Sequence, residues 1–141
     1  MDVYTDGACL GNPGPGGWAY VVPDGESASG SEAHTTNQRM ELFAVYRAMS
    51  DLPGELMIFS DSAYVVNCFV NKWWVAWERK GWRTSSGTLV ANLDLWKPVI
   101  EIFKSRHGLG FVKVKGHAGN FYNEVADSLA TAAARRIADS H

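Results

Sequence analysis

Four acidic residues of this chain lie in apolar segments, where burying a carboxylate costs free energy. Asp6 follows an apolar strand-like start and precedes a glycine-rich stretch, and Asp61 ends the apolar run "LMIF" plus serine. Glu41 shares a helical stripe with alanines and a valine, and Asp127 lies on a second alanine-rich stripe. Converging acids repel one another unless a cation compensates. Oxygen ligands alone favour Mg²⁺ or Mn²⁺ over Zn²⁺, so the pattern predicts a divalent-cation site.

Each acid also has an ordinary structural interpretation when it is taken singly. Asp61 is a candidate helix N-cap, Glu41 is placed to pair with Arg39, and Asp127 suits a solvated helix surface. Asp6 is hardest to explain in this way, because an acid at a strand end before a glycine loop has no capping role. The sequence leaves these alternatives open for the other three acids.

The elements that must position these acids alternate between strands and helices. Three strands are predicted at about Val3–Cys9, Gly17–Val22 and Ser27–His34, joined by short loops as an antiparallel meander. The segment "TTNQRMELFAVYRAMSDL" predicts a helix in which Thr35 and Gln38 have the spacing of a capping box.

The second half predicts one more buried strand, several helices and a last strand. The unbroken apolar run before Asp61 is typical of a parallel strand covered on both faces. Helical patterns follow at 62–70, 72–79 and 93–106, then the strand "GFVKVK" and the helix "NEVADSLATAAARRIAD". The fold class is therefore α/β: a mixed five-stranded sheet with helices on both faces. If the strands before Asp6 and Asp61 are parallel neighbours, both acids meet at the ligand-binding edge of that sheet.

Composition bounds the class of protein. The 141 residues are 46% hydrophobic and 20% charged, which predicts one globular domain over 1–141. No apolar run reaches the ~18 residues of a membrane span, and no secretory signal opens the chain. Two cysteines without metal-like spacing indicate reduced thiols, so a cytoplasmic location is expected.

A net charge of −2 means that any surface for a polyanion must be local. The segment "NKWWVAWERKGWR" offers such a surface, because four basic side chains against one acid give it a local charge of +3. Trp73 and Trp77 share a helix face there. By composition alone, an aromatic pair at this spacing is more typical of a core.

The blocks "YTDGACLGNPGPGGWAY", "TTNQRMEL", "IFSDSAYVVNC", "WERKGWRTSSGTLVANLDLW" and "VKGHAGNFYNEVADSLA" resemble type 1 ribonuclease H in order and spacing. The resemblance runs from about Val3 to Ala134, without a separate hybrid-binding domain. It implies an endonuclease that hydrolyses the RNA strand of RNA–DNA hybrids, as in the removal of RNA primers and R-loops. The family's metal-binding carboxylates fall on Asp6, Glu41, Asp61 and Asp127.

The resemblance also implies a mechanism. Two Mg²⁺ ions, for which Mn²⁺ is the expected substitute, would flank the scissile phosphate with Asp6 bridging them. Cleavage would leave 3′-hydroxyl and 5′-phosphate ends. The family's loop histidine, which is linked to proton transfer and product release, falls on His117, and an imidazole titrating near neutrality suits that task.

Substrate contacts follow by the same resemblance. Three amides, Asn12, Asn37 and Gln38, match positions that contact the minor groove, where the 2′-hydroxyl marks RNA. Trp73 and Trp77 match the lining of a DNA-strand channel. The last group matches a pocket for a DNA phosphate and comprises Thr36, Asn92 and His34, the histidine replacing an arginine of some relatives.

Some family features are missing. Ala63 replaces a polar side chain, and the loop "RTSSGTLVAN" lacks lysines that some relatives carry. Together the two changes predict weaker hybrid binding, with a shallower salt dependence than in lysine-rich relatives. The chain is expected to be a monomer, and recruitment by a replication protein is not readable from sequence. The remaining alternatives are a DNA strand-transfer enzyme of the integrase and transposase type and a hybrid-binding module without catalysis.

Overall fold

The computed structural model describes residues 1–115 and 120–140, which form five strands and five helices. The strands are β1 (Asp2–Cys9), β2 (Gly14–Val21), β3 (Ser27–Thr35), β4 (Leu56–Ser60) and β5 (Leu109–Lys113). The helices are α1 (Asn37–Asp51), α2 (Ala63–Val70), α3 (Trp73–Arg79), α4 (Leu93–Ser105) and α5 (Phe121–Asp139). No helix in this described part is long and apolar enough to cross a bilayer.

The strands form one mixed sheet in the order β3-β2-β1-β4-β5. Strands β1, β2 and β3 pair antiparallel, whereas β4 pairs parallel with both β1 and β5. The predicted fold class is thereby confirmed. The central position of β1 matters for function, because it gives the strand that carries Asp6 a hydrogen-bonded neighbour on each side.

The two faces of the sheet carry different helices. Gly7 stands opposite Trp18 in the antiparallel pair, and Trp18 packs on Phe43 of α1. The next pair, Ala8 and Gly17, faces the other way because successive side chains alternate across a strand. A Cβ on Gly17 would clash with the backbone of α5. Helices α1 and α5 therefore cover opposite faces of the sheet.

The core lies mainly between the sheet and the α1 side. The stripe Ala44, Val45 and Ala48 is fully buried, as the sequence pattern predicts. Trp96 and Ile100 of α4 are also fully buried and belong to the same apolar cluster. Burying a side chain of this size contributes about 2 kcal/mol, so the α1–α4 pair is anchored independently of the acids.

Two predicted boundaries are wrong. Thr36, not Thr35, caps α1, since the Thr36 hydroxyl accepts a hydrogen bond of 3.2 Å from the backbone N–H of Arg39. Thr35 is the buried last residue of β3, so its backbone belongs to the sheet ladder. Strand β2 begins at Gly14 rather than Gly17, because backbone pairing to β3 extends into the glycine-rich stretch.

Candidate metal centre and nucleic-acid surface

Asp6 and Asp61 meet because of the register between β1 and β4. Tyr4 pairs with Phe59 in this parallel ladder. Asp6 lies two residues beyond Tyr4, and Asp61 lies two residues beyond Phe59. The side chains at aligned positions of parallel strands point to the same side. The two carboxylates thus reach the same edge of the sheet, where ligands bind in open α/β folds.

Glu41 completes a group of three carboxylates. One oxygen from each of Asp6, Glu41 and Asp61 lies within 4.8 Å of the others. Glu41 comes from α1, which can approach only because Gly7 has no side chain. A Cβ on Gly7 would clash with the backbone of Met40 and Glu41.

The backbone N–H of Gly7 is shared by two acids. It donates to Asp6 Oδ1 at 2.9 Å and to Glu41 Oε1 at 3.0 Å. Asp6 is only 3% exposed. One N–H donor compensates two buried carboxylates incompletely, so protons or a cation must make up the difference.

The acids shift one another's pKa. Burial raises the pKa of Asp6 to about 7, the charges of Asp61 and Asp127 add to the rise, and the hydrogen bonds from Glu41 and Gly7 oppose it. Burial also raises the pKa of Glu41 well above its usual value, and its hydrogen bond and proximity to Asp6 add to the rise. Without a cation, the pair therefore retains a proton near neutral pH.

The donor set of this group suits a hard divalent cation. Glu41 Oε2 is buried and accepts no hydrogen bond within the described residues. An oxygen of this kind is costly to bury unless a ligand satisfies it. Three carboxylates at one point, without His or Cys, fit Mg²⁺ or Mn²⁺.

Asp127 stands beside this group rather than in it. It is half-buried on α5, and its charge contributes to the raised pKa of Asp6. One turn earlier, Asn123 is 3% exposed, and its Oδ1 has no partner among the described residues. Tyr122 packs on Tyr4 with ring centroids 5.7 Å apart, which fixes the start of α5 against β1.

The ordinary interpretations of Asp61 and Glu41 do not describe this structure. Ser62, not Asp61, caps α2 by accepting a 3.2 Å hydrogen bond from the N–H of Val65. Arg39 does not pair with Glu41, because it forms a two-pronged ion pair with Asp94 at 2.9 and 2.7 Å.

The three amides predicted to contact the minor groove lie at the start of α1. Asn12 Oδ1 accepts a hydrogen bond of 3.1 Å from the N–H of Asn37, which ties the glycine-rich loop to the helix. Asn12, Asn37 and Gln38 are all exposed. The arrangement presents amide groups to solvent beside Glu41.

The two tryptophans predicted for the DNA channel line one groove on α3. Trp73 is 37% exposed, and the groove of about 260 Å³ also contains Trp77, Lys80 and Arg83. Trp77 packs against Trp96 of the core, so it belongs to the core and to the groove at once.

The remaining predicted contacts lie on other segments. His34 is exposed at the end of β3, and Thr36 caps α1. Asn92 stands at the start of α4 with its amide held by Arg39 and Tyr64. His117 lies outside the described residues.

Two glycines that the sequence analysis did not single out prove decisive. Gly7 admits α1 and hence Glu41, and Gly17 admits α5 and hence Asp127. A signal was present in part, because a glycine inside a strand often marks a close backbone approach. Which helix would approach was not readable from one sequence.

Comparison with known proteins agrees with this geometry. The family model described as RNase H matches residues 1–135. The chain is 47% identical to the ribonuclease H of Thermoanaerobacter sp. (strain X514), covering 96% of this chain and 90% of that protein. It is 46% identical to the ribonuclease H of Syntrophomonas wolfei, covering 96% of each.

Solved structures show the same architecture. A type 1 RNase H with the type 2 active-site motif superimposes with a TM-score of 0.80 at 32% identity, covering 96% of this chain and 72% of that one. The foamy viral protease-reverse transcriptase in complex with RNA/DNA hybrid gives a TM-score of 0.81 at 21% identity, covering 96% of this chain and 20% of that one. The second likeness concerns the fold alone.

Proposed function

This chain belongs to the ribonuclease H family, and we propose that its clustered carboxylates are the centre with which it cleaves RNA. The enzyme is an endoribonuclease that hydrolyses the RNA strand of RNA–DNA hybrids. The observation that carries the proposal is the approach of Asp6, Glu41 and Asp61 to within 4.8 Å of one another. Three carboxylates at one sheet edge repel one another, and bound cations would offset that repulsion.

The chain's own groups prepare this centre in distinct ways. Asp6, Glu41 and Asp61 would hold the cations, with Asp6 as the ligand common to both and Asp127 completing the set. Gly7 orients the first two carboxylates through its shared N–H. Two divalent cations held there would activate water and stabilise charge on the departing oxygen. Cleavage is expected to leave 3′-hydroxyl and 5′-phosphate ends.

His117 is proposed to carry a proton at the leaving oxygen or at the attacking water. The residue follows β5 and precedes α5, whose Asp127 is close enough to raise the pKa of Asp6. A histidine is the side chain whose ordinary pKa allows exchange of a proton near neutral pH.

Recognition of the hybrid is divided between two surfaces. The exposed amides of Asn12, Asn37 and Gln38 can both donate to and accept from a 2′-hydroxyl, which DNA lacks. The groove lined by Trp73 and Trp77 takes the DNA strand, because tryptophan and basic side chains suit sugars and phosphates. Thr36 and Asn92, with His34 nearby in sequence, bind a phosphate of that strand.

Finer properties are proposed on the same basis. Mg²⁺ is the working cation and Mn²⁺ substitutes for it, since both prefer carboxylate oxygens. The catalytic unit covers 1–141 and works as a monomer in the cytoplasm on RNA–DNA hybrid.

The test is a strand-labelled cleavage assay on RNA–DNA hybrid, duplex RNA and duplex DNA, with Mg²⁺ and with EDTA. We expect cleavage of the RNA strand of the hybrid alone, and only with the cation. Asp61→Asn should abolish it, whereas Glu101→Gln, an exposed acid on α4, should not. Cleavage by Asp61→Asn at the wild-type rate would refute the proposed centre, and transfer of a DNA end would indicate a strand-transfer enzyme instead.

A further inference from the structure

The side chain of Asn92 has an unusual setting. Asn92 is the N-cap of α4 with a left-handed φ of 61°, yet its side chain makes no capping hydrogen bond. The side-chain oxygen of an N-cap asparagine normally accepts a hydrogen bond from a backbone N–H in the first turn of the helix. Here the amide is held from two sides instead, which indicates that its orientation serves another purpose.

The polarity of this network is fixed from both ends by groups that can only donate. The guanidinium of Arg39 donates from Nη1 to Asn92 Oδ1 at 3.3 Å. The indole of Trp96, which is fully buried, donates from Nε1 to the Tyr64 hydroxyl oxygen at 2.7 Å. Because neither donor can accept, Asn92 Nδ2 must donate to the same hydroxyl oxygen, at 3.1 Å.

This assignment leaves two donor hydrogens unused, while Asn92 Oδ1 is turned toward Arg39. Asn92 Nδ2 carries a second hydrogen, and the Tyr64 hydroxyl keeps its own proton because its oxygen already accepts twice. Neither hydrogen has an acceptor within the described residues. The oxygen of Asn92 is occupied by Arg39, whose charge is in turn held by Asp94.

We infer that Arg39 and Trp96 are positioning residues that orient the Asn92 amide and the Tyr64 hydroxyl, so that Asn92 and Tyr64 together offer two donors to one non-bridging phosphate oxygen of the DNA strand. The inference rests on the proposed function and extends it to Tyr64, a residue not otherwise assigned to the substrate. A phosphate oxygen is always an acceptor, so two donors directed to one point suit it.

The test combines a change in the enzyme with a change in the substrate. Hybrids carry one neutral methylphosphonate at successive positions of the DNA strand, so that every RNA phosphate stays cleavable. Wild-type enzyme should show a raised KM at one position. Tyr64→Phe should raise KM for the unmodified hybrid about 10- to 150-fold, the range of a hydrogen bond to a charged group, with kcat nearly unchanged.

The decisive measurement is whether the effect of the methylphosphonate on KM depends on the Tyr64 hydroxyl. At the sensitive position, the increase in KM that the methylphosphonate causes should be smaller in Tyr64→Phe than in the wild type. At every other position the two proteins should respond alike. Asn92→Asp keeps the oxygen that faces Arg39 and replaces the outward donor by an acceptor, so its KM should rise at least as much. Tyr46→Phe is the matched control, because the Tyr46 hydroxyl makes no hydrogen bond within the described chain. Melting temperatures of all three variants check the fold.

The two possible failures are distinguishable. If wild-type enzyme cleaves the hybrid but Tyr64→Phe behaves as Tyr46→Phe, or loses affinity without coupling to any position, the inference is overturned. If wild-type enzyme leaves the hybrid intact, the proposed function itself fails.

Discussion

At the scale of single residues, Asp6 is where burial and charge conflict most sharply. Its carboxyl is almost completely buried between two other acids, with one shared N–H as compensation. Without a cation, such a site keeps a proton near neutral pH and carries a poorly compensated charge at higher pH. When no cation is present, this should appear as a free energy of unfolding that depends on pH.

We predict that the metal-free enzyme is more stable at pH 5.5 than at pH 8. The pKa of Asp6 rises from 3.8 to about 7 on folding. The folded state therefore binds a proton that the unfolded state has lost, and this contribution disappears as pH rises through about 7. Asp6→Asn should raise the free energy of unfolding at pH 8 by about 2 kcal/mol and flatten the pH dependence. Denaturant unfolding in EDTA measures both effects.

The same comparison has a clear negative outcome. Asp139→Asn alters an exposed acid near the end of α5 and should leave the pH profile as it is. A profile of Asp6→Asn that runs parallel to the wild-type profile between pH 5.5 and 8 would mean that Asp6 is ionised throughout.

Cation binding itself should appear as thermal stabilisation. A ligand present at 100 times its dissociation constant stabilises the folded state by about 2.7 kcal/mol. We predict such a rise with Mg²⁺ for the wild type and a much smaller one for Glu41→Gln. The glutamine still offers an oxygen to Gly7, so the fold is kept while one charge is lost. An equal rise in both proteins would remove Glu41 from the ligand set.

At the scale of elements, the approach of α1 to β1 assembles the centre. We predict that Gly7→Ala lowers both stability and activity, because its Cβ clashes with the backbone at Met40 and Glu41. The helix must shift, and Glu41 shifts with it. Overpacking of this kind costs about 1–3 kcal/mol or more. Thermal unfolding and hybrid cleavage should report the two losses together.

A second glycine provides the matched control. Gly110→Ala would meet only the Met57 side chain, at 3.0 Å, on an edge of the sheet. Because that side chain is flexible, this variant should keep wild-type activity. Full activity in Gly7→Ala would show that the close approach is not required for the site.

Much of this architecture could be predicted from the sequence because each strand and helix carries its own periodic signal. The apolar run before Asp61 indicated a parallel strand. Its pairing with β1, which the sequence left as a condition, brings the two acids together. The stripe on α1 correctly placed Glu41 toward the sheet. These predictions depend only on local pattern and on simple rules of topology.

The parts that could not be predicted depend on contacts between distant segments. The cap of α1 moved by one residue because β3 continues through Thr35, and strand length depends on its partner. The pairing of Arg39 with Asp94, and the amide lock on Asn92, require the α1–α4 packing that no local pattern specifies.

At the scale of the whole molecule, the basic residues near α3 are less neutralised than their composition indicates. Glu78, the one acid among them, pairs with Lys104 of α4 at 2.8 Å. The four basic side chains around it therefore keep their charge for a polyanion. On a protein of net charge −2, the salt dependence of hybrid binding should therefore come mainly from these few local charges.

We predict that Lys80→Ala, within the tryptophan groove, weakens hybrid binding and lowers the slope of log K against log salt by about 1. Arg47→Ala removes a basic side chain on α1 that is paired with Asp51, outside this surface, and should leave the slope unchanged. Binding to a non-cleavable hybrid at several salt concentrations gives the slopes. Equal slopes for both variants would place the phosphate path elsewhere.

The distribution of the acids along the chain also has a temporal consequence. The first 61 residues contain Asp6, Glu41 and Asp61, but the helix that covers the Asp6 side of the sheet, and carries Asp127, is the last element of the described fold. During synthesis, a growing chain can bring its early acids together yet leave that face bare. Nuclease activity would then arise only after α5 has been synthesised, so that incomplete chains would not cleave RNA–DNA hybrids.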